Sequence, residues 1–118
     1  MPATDVDLFA GVPVTDFPRA IAWYERLFGR AGDFAPHDTE TVWTLAEHGH
    51  VYVVLDPARA GHALVTVFRT DHDDFVAAAS ARGLEPISRE TYANGVRKTT
   101  YRDPDGNELG IGGAPTPT

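Results

Sequence analysis

The 118-residue sequence contains no cysteine. Disulfides, thiolate metal sites and a cysteine nucleophile are excluded on that ground. It contains a single lysine, Lys98, beside many arginines. That bias reads as the mark of a GC-rich bacterial genome rather than of function. No segment approaches the roughly 20 apolar residues that span a bilayer, and no N-terminal apolar run resembles a signal peptide, so a cytoplasmic protein with no membrane partner is expected. Basic residues are also scarce: ten against 17 acids, for a formal net charge of −7. Phosphate binding needs a basic surface, so nucleic acid is disfavoured as a partner, while a neutral or cationic small ligand is compatible. The chain also lacks a phosphate-binding glycine loop and a Gly-x-Ser-x-Gly nucleophile setting.

What is present is strong punctuation. Turn-forming clusters fall at residues 29–33, 47–50, 56–61, 81–86, 94–95 and 103–106. Between them the pattern predicts a strand over 7–14 and a helix over 15–29. Asp16 is the expected N-cap, Pro18 lies in the first turn, and Gly29 ends the helix. Three strands follow: 33–38, 41–47 and 50–56. The second half repeats the order with a strand over 62–69, a helix over 71–83 and strands over 85–92, 96–102 and 107–113. The fold class is therefore α+β, as two tandem βαβββ modules in one domain over 1–118. Module one covers about 5–57 and module two about 61–113, each with one sheet face free to line a shared, cup-shaped cleft.

Three segments carry a family signature: VPVTDFPRAIAWYERLFG (12–29), TVFRTDHDDFVAAASARGLEP (66–86) and RDPDGNELGI (102–111). In this order and spacing they resemble the vicinal oxygen chelate superfamily, the glyoxalase, bleomycin-resistance and dioxygenase group. The resemblance implies that paired βαβββ modules form a cup, commonly in a homodimer that builds the cup across subunits. Its enzymes chelate a divalent cation through His or Glu on the first and last strand of each module. Mapped onto this chain, the four ligand positions fall on Phe9, Val53, Leu64 and Gly110. None carries a metal-binding side chain, so no metal and no cofactor is expected. His62 and Glu108 lie two residues before Leu64 and Gly110, which keeps the same strand face. They are the candidates for a displaced acid–base or metal pair, or are polar groups at the rim. His48 and His50 read as turn residues, and His72 as an exposed residue of the second helix.

Strand alternation assigns the cleft lining. Phe9, Gly11, Pro13, Val51, Val53 and Leu55 are expected there from module one, and His62, Leu64, Thr66, Phe68, Glu108, Gly110 and Gly112 from module two. Trp43 and Tyr101 are added to this set with less certain parity. The ligand-binding candidates are thus Phe9, Trp43, Val53, Leu64, Phe68, Tyr101 and Gly110, an apolar and aromatic concavity suited to a small molecule. The competing reading is that these aromatics fill a core or a dimer interface. Function resolves into two classes. The first is a metal-free small-molecule-binding protein of the bleomycin-resistance type, sequestering or carrying an apolar or aromatic ligand. The second is a lyase, isomerase or dioxygenase of the superfamily working through His62 and Glu108.

Overall fold

A computed structural model describes residues 5–116. The element order is β1 (Leu8–Val14), α1 (Phe17–Phe28), β2 (Phe34–His37), β3 (Glu40–Ala46), β4 (Gly49–Leu55), β5 (Leu64–Phe68), α2 (His72–Ala81), β6 (Ser88–Thr91), β7 (Arg97–Arg102) and β8 (Glu108–Gly113). Two four-stranded sheets result, ordered β1-β4-β3-β2 and β5-β8-β7-β6. β1 runs parallel to β4 and β5 parallel to β8, while the remaining pairs are antiparallel. No helix among the described residues is long and apolar enough to cross a membrane.

Local chemistry sets the helix ends. The Asp16 carboxylate accepts from the Arg19 N–H at the start of α1, and Gly29 closes it at φ 76°. Ala20, Tyr24 and Leu27 form its buried stripe. The start of α2 differs: the Asp71 carboxylate makes no capping bond and instead takes the Arg69 guanidinium. Asp73 and Asp74 still complement the positive end of that helix.

Both helices pack on the same side of the molecule, where the modules share one core. Val12, Val14, Tyr24, Leu27, Trp43 and Val53 of the first module join Phe75, Ala79, Leu84, Tyr101, Leu109 and Ile111 of the second. Each valine, leucine, isoleucine or phenylalanine among them contributes about 1.5–3 kcal/mol by leaving water. The helix C-termini clasp each other: Arg26 donates to the Arg82 carbonyl, while Arg82 donates to the carbonyls of Arg26 and Leu27.

The turn over 103–107 is the joint between modules. Asn107, fully buried, accepts from the Gly61 and Ala63 N–H groups and donates to the Pro13 carbonyl and to Asp103. Asp105 takes both the N–H and the hydroxyl of Thr15. Gly106, at φ 102°, makes the turn possible.

This shared core leaves the opposite sheet faces open. The radius of gyration is 14.6 Å, against about 13.5 Å for a compact chain of this length. Exposed apolar residues mark those faces: Phe9 is 47% exposed, Leu64 80% and Phe68 60%.

Candidate ligand-binding site

Register fixes which side chains stand on the open faces. On the first sheet, Phe9, Gly11 and Pro13 of β1 stand beside His50, Tyr52 and Val54 of β4. On the second, Leu64, Thr66 and Phe68 of β5 stand beside Glu108, Gly110 and Gly112 of β8. β7 adds Lys98, Thr100 and Arg102. Phe9, Leu64, Phe68 and Gly110 thus occupy the open faces, as alternation predicts.

Three ligand-lining candidates do not. Val53, Trp43 and Tyr101 are all fully buried on the helical side. Trp43 packs 6.2 Å from Tyr24 and 5.5 Å from Phe28, ring centre to ring centre, and its indole N–H donates to the Arg30 carbonyl. Val51 is buried in the same core, and Leu55 shares its parity. The error at Val53 is a one-residue slip, which moves a side chain to the other face of a strand. Gly49 aligned on Gly106 points to Val53. Observed register instead equates Phe9 opposite His50 with Leu64 opposite Glu108. The position matching Gly110 is therefore Tyr52.

The cation expected of the family can be tested against these residues. The four positions are Phe9, Tyr52, Leu64 and Gly110, and the Tyr52 phenol is the sole donor among them. Its ring lies across Gly11, where an added Cβ would stand 2.5 Å from the Tyr52 Oη. Among the described residues no group of three or more His, Asp or Glu side chains is placed to hold a metal ion. These residues do not fit a divalent cation at that place.

No hydrogen bond or ion pair joins the candidate pair His62 and Glu108 among the described residues. Glu108 stands opposite Leu64 in the register, two residues beyond His62, a strand distance of about 6.6 Å. Its carboxylate accepts from Arg102 at 3.1 Å. His62 instead lines a groove of about 510 Å³ on the first sheet's open face, with Gly11, Pro13, Tyr52 and Val54. A second groove, about 490 Å³, lies between the first sheet and β5 and includes Leu8, Val51, His50, Thr66 and Phe68.

Two histidine arrangements escape the sequence reading. His50 stacks on Phe9 at 4.3 Å between ring centres. Its Nε2 donates to Asp7 Oδ1 at 3.0 Å, leaving Nδ1 to accept from the Thr44 hydroxyl at 2.9 Å. The His48 Nδ1 donates to the same carboxylate oxygen. Hydrogen bonds from His50 and His48 hold the Asp7 carboxyl below its ordinary range. His72 is buried rather than exposed. Its Nε2 meets the Thr99 hydroxyl and its Nδ1 meets Asp73, each at 2.9 Å. An added Cβ on Gly113 would lie 2.7 Å from its ring, so that glycine makes the room.

Paired βαβββ modules with open, partly apolar sheet faces define a class of cup-forming scaffold. The chain belongs to the Glyoxalase/Bleomycin resistance protein/Dioxygenase superfamily, whose family model matches residues 6–111. It is similar to a glyoxalase/bleomycin resistance protein from Catenulispora acidiphila, at 50% identity and TM-score 0.91, covering 94% of this chain and 100% of that one. A bleomycin-binding protein complexed with bleomycin shares the fold at 20% identity and TM-score 0.71, covering 94% and 99%. A lactoylglutathione lyase from Agrobacterium tumefaciens shares it at 16% identity and TM-score 0.74, covering 96% of each chain. No curated protein matches.

Proposed function

We propose that this chain is a metal-free small-molecule-binding protein of the bleomycin-resistance type, which sequesters or carries an apolar or aromatic ligand. The carrying observation is the character of the four positions where the family's enzymes place metal ligands: Phe9, Tyr52, Leu64 and Gly110. They offer two apolar side chains, a phenol and a gap. Phe9 and Leu64 are also left open to water. Exposed apolar surface of this kind marks a binding face. A homodimer that sets the first sheet of one copy against the second sheet of its partner encloses that surface, and is part of the proposal.

The test is calorimetric titration with bleomycin and a panel of aromatic metabolites, with the sedimentation coefficient measured in parallel. Saturable binding by a dimer, with under about one tenth equivalent of Mn, Fe, Ni or Zn in protein purified without chelator, is expected. A monomer that binds nothing in the panel, or stoichiometric metal, overturns the reading. The enzyme alternative rests on His62 and Glu108. His62→Ala and Glu108→Gln variants with unchanged turnover of a substrate remove it.

A further inference from the structure

The one lysine of the sequence stands beside the position where the family places a metal-binding acid. A Cβ added to Gly110 would lie 2.6 Å from Lys98 Cε, 3.5 Å from its Nζ and 3.2 Å from Thr66 Oγ1. The Lys98 stem therefore fills the volume that a side chain at 110 would need. Where a relative's glutamate would draw in a divalent cation, this chain lays a covalently attached, singly charged ammonium.

That ammonium is distinctive in its surroundings. Most arginines of this acidic chain pair with a carboxylate. Lys98 stands directly opposite Glu90 across the β6–β7 pair, yet it leans toward Gly110. It has no ion pair within 4.0 Å and no side-chain hydrogen bond among the described residues. The nearby Glu108 on the same face is already taken by Arg102. Beneath the ammonium runs one row of the sheet, Thr66–Gly110–Thr100, in register across β5, β8 and β7. Neither threonine hydroxyl has a side-chain partner, and Thr100 is only 6% exposed. An ammonium has three donors and no acceptor, and a hydroxyl donates freely. Such a donor set is completed by an anionic oxygen.

We propose that Lys98, Thr66 and Thr100 form an oxyanion-binding site. It takes the carboxylate of a small acid whose apolar body rests on Leu64 and Phe68. The proposal rests on the small-molecule-binding reading and narrows its ligand class. It also departs from the expectation drawn from net charge alone, because the charged group nearest this row is the Lys98 ammonium, which has no ion pair within 4.0 Å.

A single lysine makes the test direct. Protein labelled with 13C at lysine Cε gives one side-chain signal, which is followed during titration with 1-naphthoate and with uncharged 1-naphthamide at neutral pH. Naphthoate is expected to bind at least about tenfold more tightly, the increment of a charge-assisted hydrogen bond, and to move the Lys98 signal. Lys98→Met keeps the stem over Gly110 and abolishes the preference, while Lys98→Arg restores part of it. Thr66→Val weakens naphthoate alone. Equal affinities, an unmoved Lys98 signal at saturation, or a preference retained in Lys98→Met overturns the oxyanion site and leaves the binding reading standing. Failure of both compounds to bind at millimolar concentration overturns the oxyanion site, while the binding reading falls only when bleomycin and the aromatic panel fail as well.

Discussion

The Tyr24 hydroxyl of α1 donates to Asp103 Oδ2 at 2.8 Å, joining the helix of the first module to the last turn of the second. Both groups are buried. Burial and the Asp103 charge push the Tyr24 phenol far above its ordinary range, so it stays a donor at any pH the protein survives. The other Asp103 oxygen accepts from the N–H groups of Asp105 and Asn107. Tyr24→Phe removes one of several donors and is expected to cost about 1–2 kcal/mol. Asn107→Leu strands the Gly61 and Ala63 N–H groups and the Pro13 carbonyl together, and is expected to cost about 3 kcal/mol or more. Urea unfolding at unchanged m-value measures both. Equal losses in the two variants contradict the joint described for this turn.

The order of elements was readable because glycine, proline and aspartate punctuate every connection. Face assignment was readable only where one face of a strand is plainly apolar. β5 alternates Leu64, Val65, Thr66, Val67, Phe68, and its parity stood. β3 and β7 carry bulky side chains on both faces, so Trp43 and Tyr101 had no parity signal, and both went to the core. Val53 failed for another reason. The β3–β4 connection leaves two residues between strands and the β7–β8 connection five, so glycine cannot be matched to glycine across them. Buried His72 had a local clue in the run of glycines at 110, 112 and 113, since a glycine in a strand often marks a close approach.

Both tryptophans lie on the helical side. Trp43 is fully buried, and Trp23 packs edge-on to Tyr24 at 4.7 Å. Native tryptophan emission is therefore expected to stay unchanged when a ligand occupies the open faces. A Phe9→Trp variant puts an indole on the face itself and is expected to respond. A fluorescence titration of the two proteins with one ligand checks this. A native response equal to that of the variant places the ligand elsewhere.

Two glycines of β8 are expected to differ on replacement by alanine. At Gly110 the new methyl meets the flexible end of Lys98, which can swing aside, so the cost is under about 1 kcal/mol. At Gly113 it meets His72 Cβ and Cγ at 2.7 Å, atoms held close to the α2 backbone. That overlap is expected to cost about 1–3 kcal/mol and to break the His72–Thr99 bond. Thermal unfolding ranks the two. In Gly110→Ala the Lys98 side-chain signal should shift even without ligand, whereas in Gly113→Ala it should not.

Acid stability follows from the aspartates. Asp33 is held below its ordinary value of 3.8, first by the Thr44 N–H at 2.6 Å and then by Arg30. Asp71 is lowered by Arg69, and Asp73 by His72 and then Arg97. A lowered folded-state value means that the unfolded chain takes up protons first as pH falls. The stability these groups contribute is complete above the unfolded value near pH 4. It drains away as pH falls through their lower folded values. These carboxylates are exposed, so salt should flatten the effect. Asp33→Asn is expected to lower stability at neutral pH and to reduce the slope of stability against pH below about 4. Urea midpoints taken from neutral pH downward, at low and high salt, read that slope. A variant whose acid slope matches the native protein contradicts the role given to the Asp33 carboxylate.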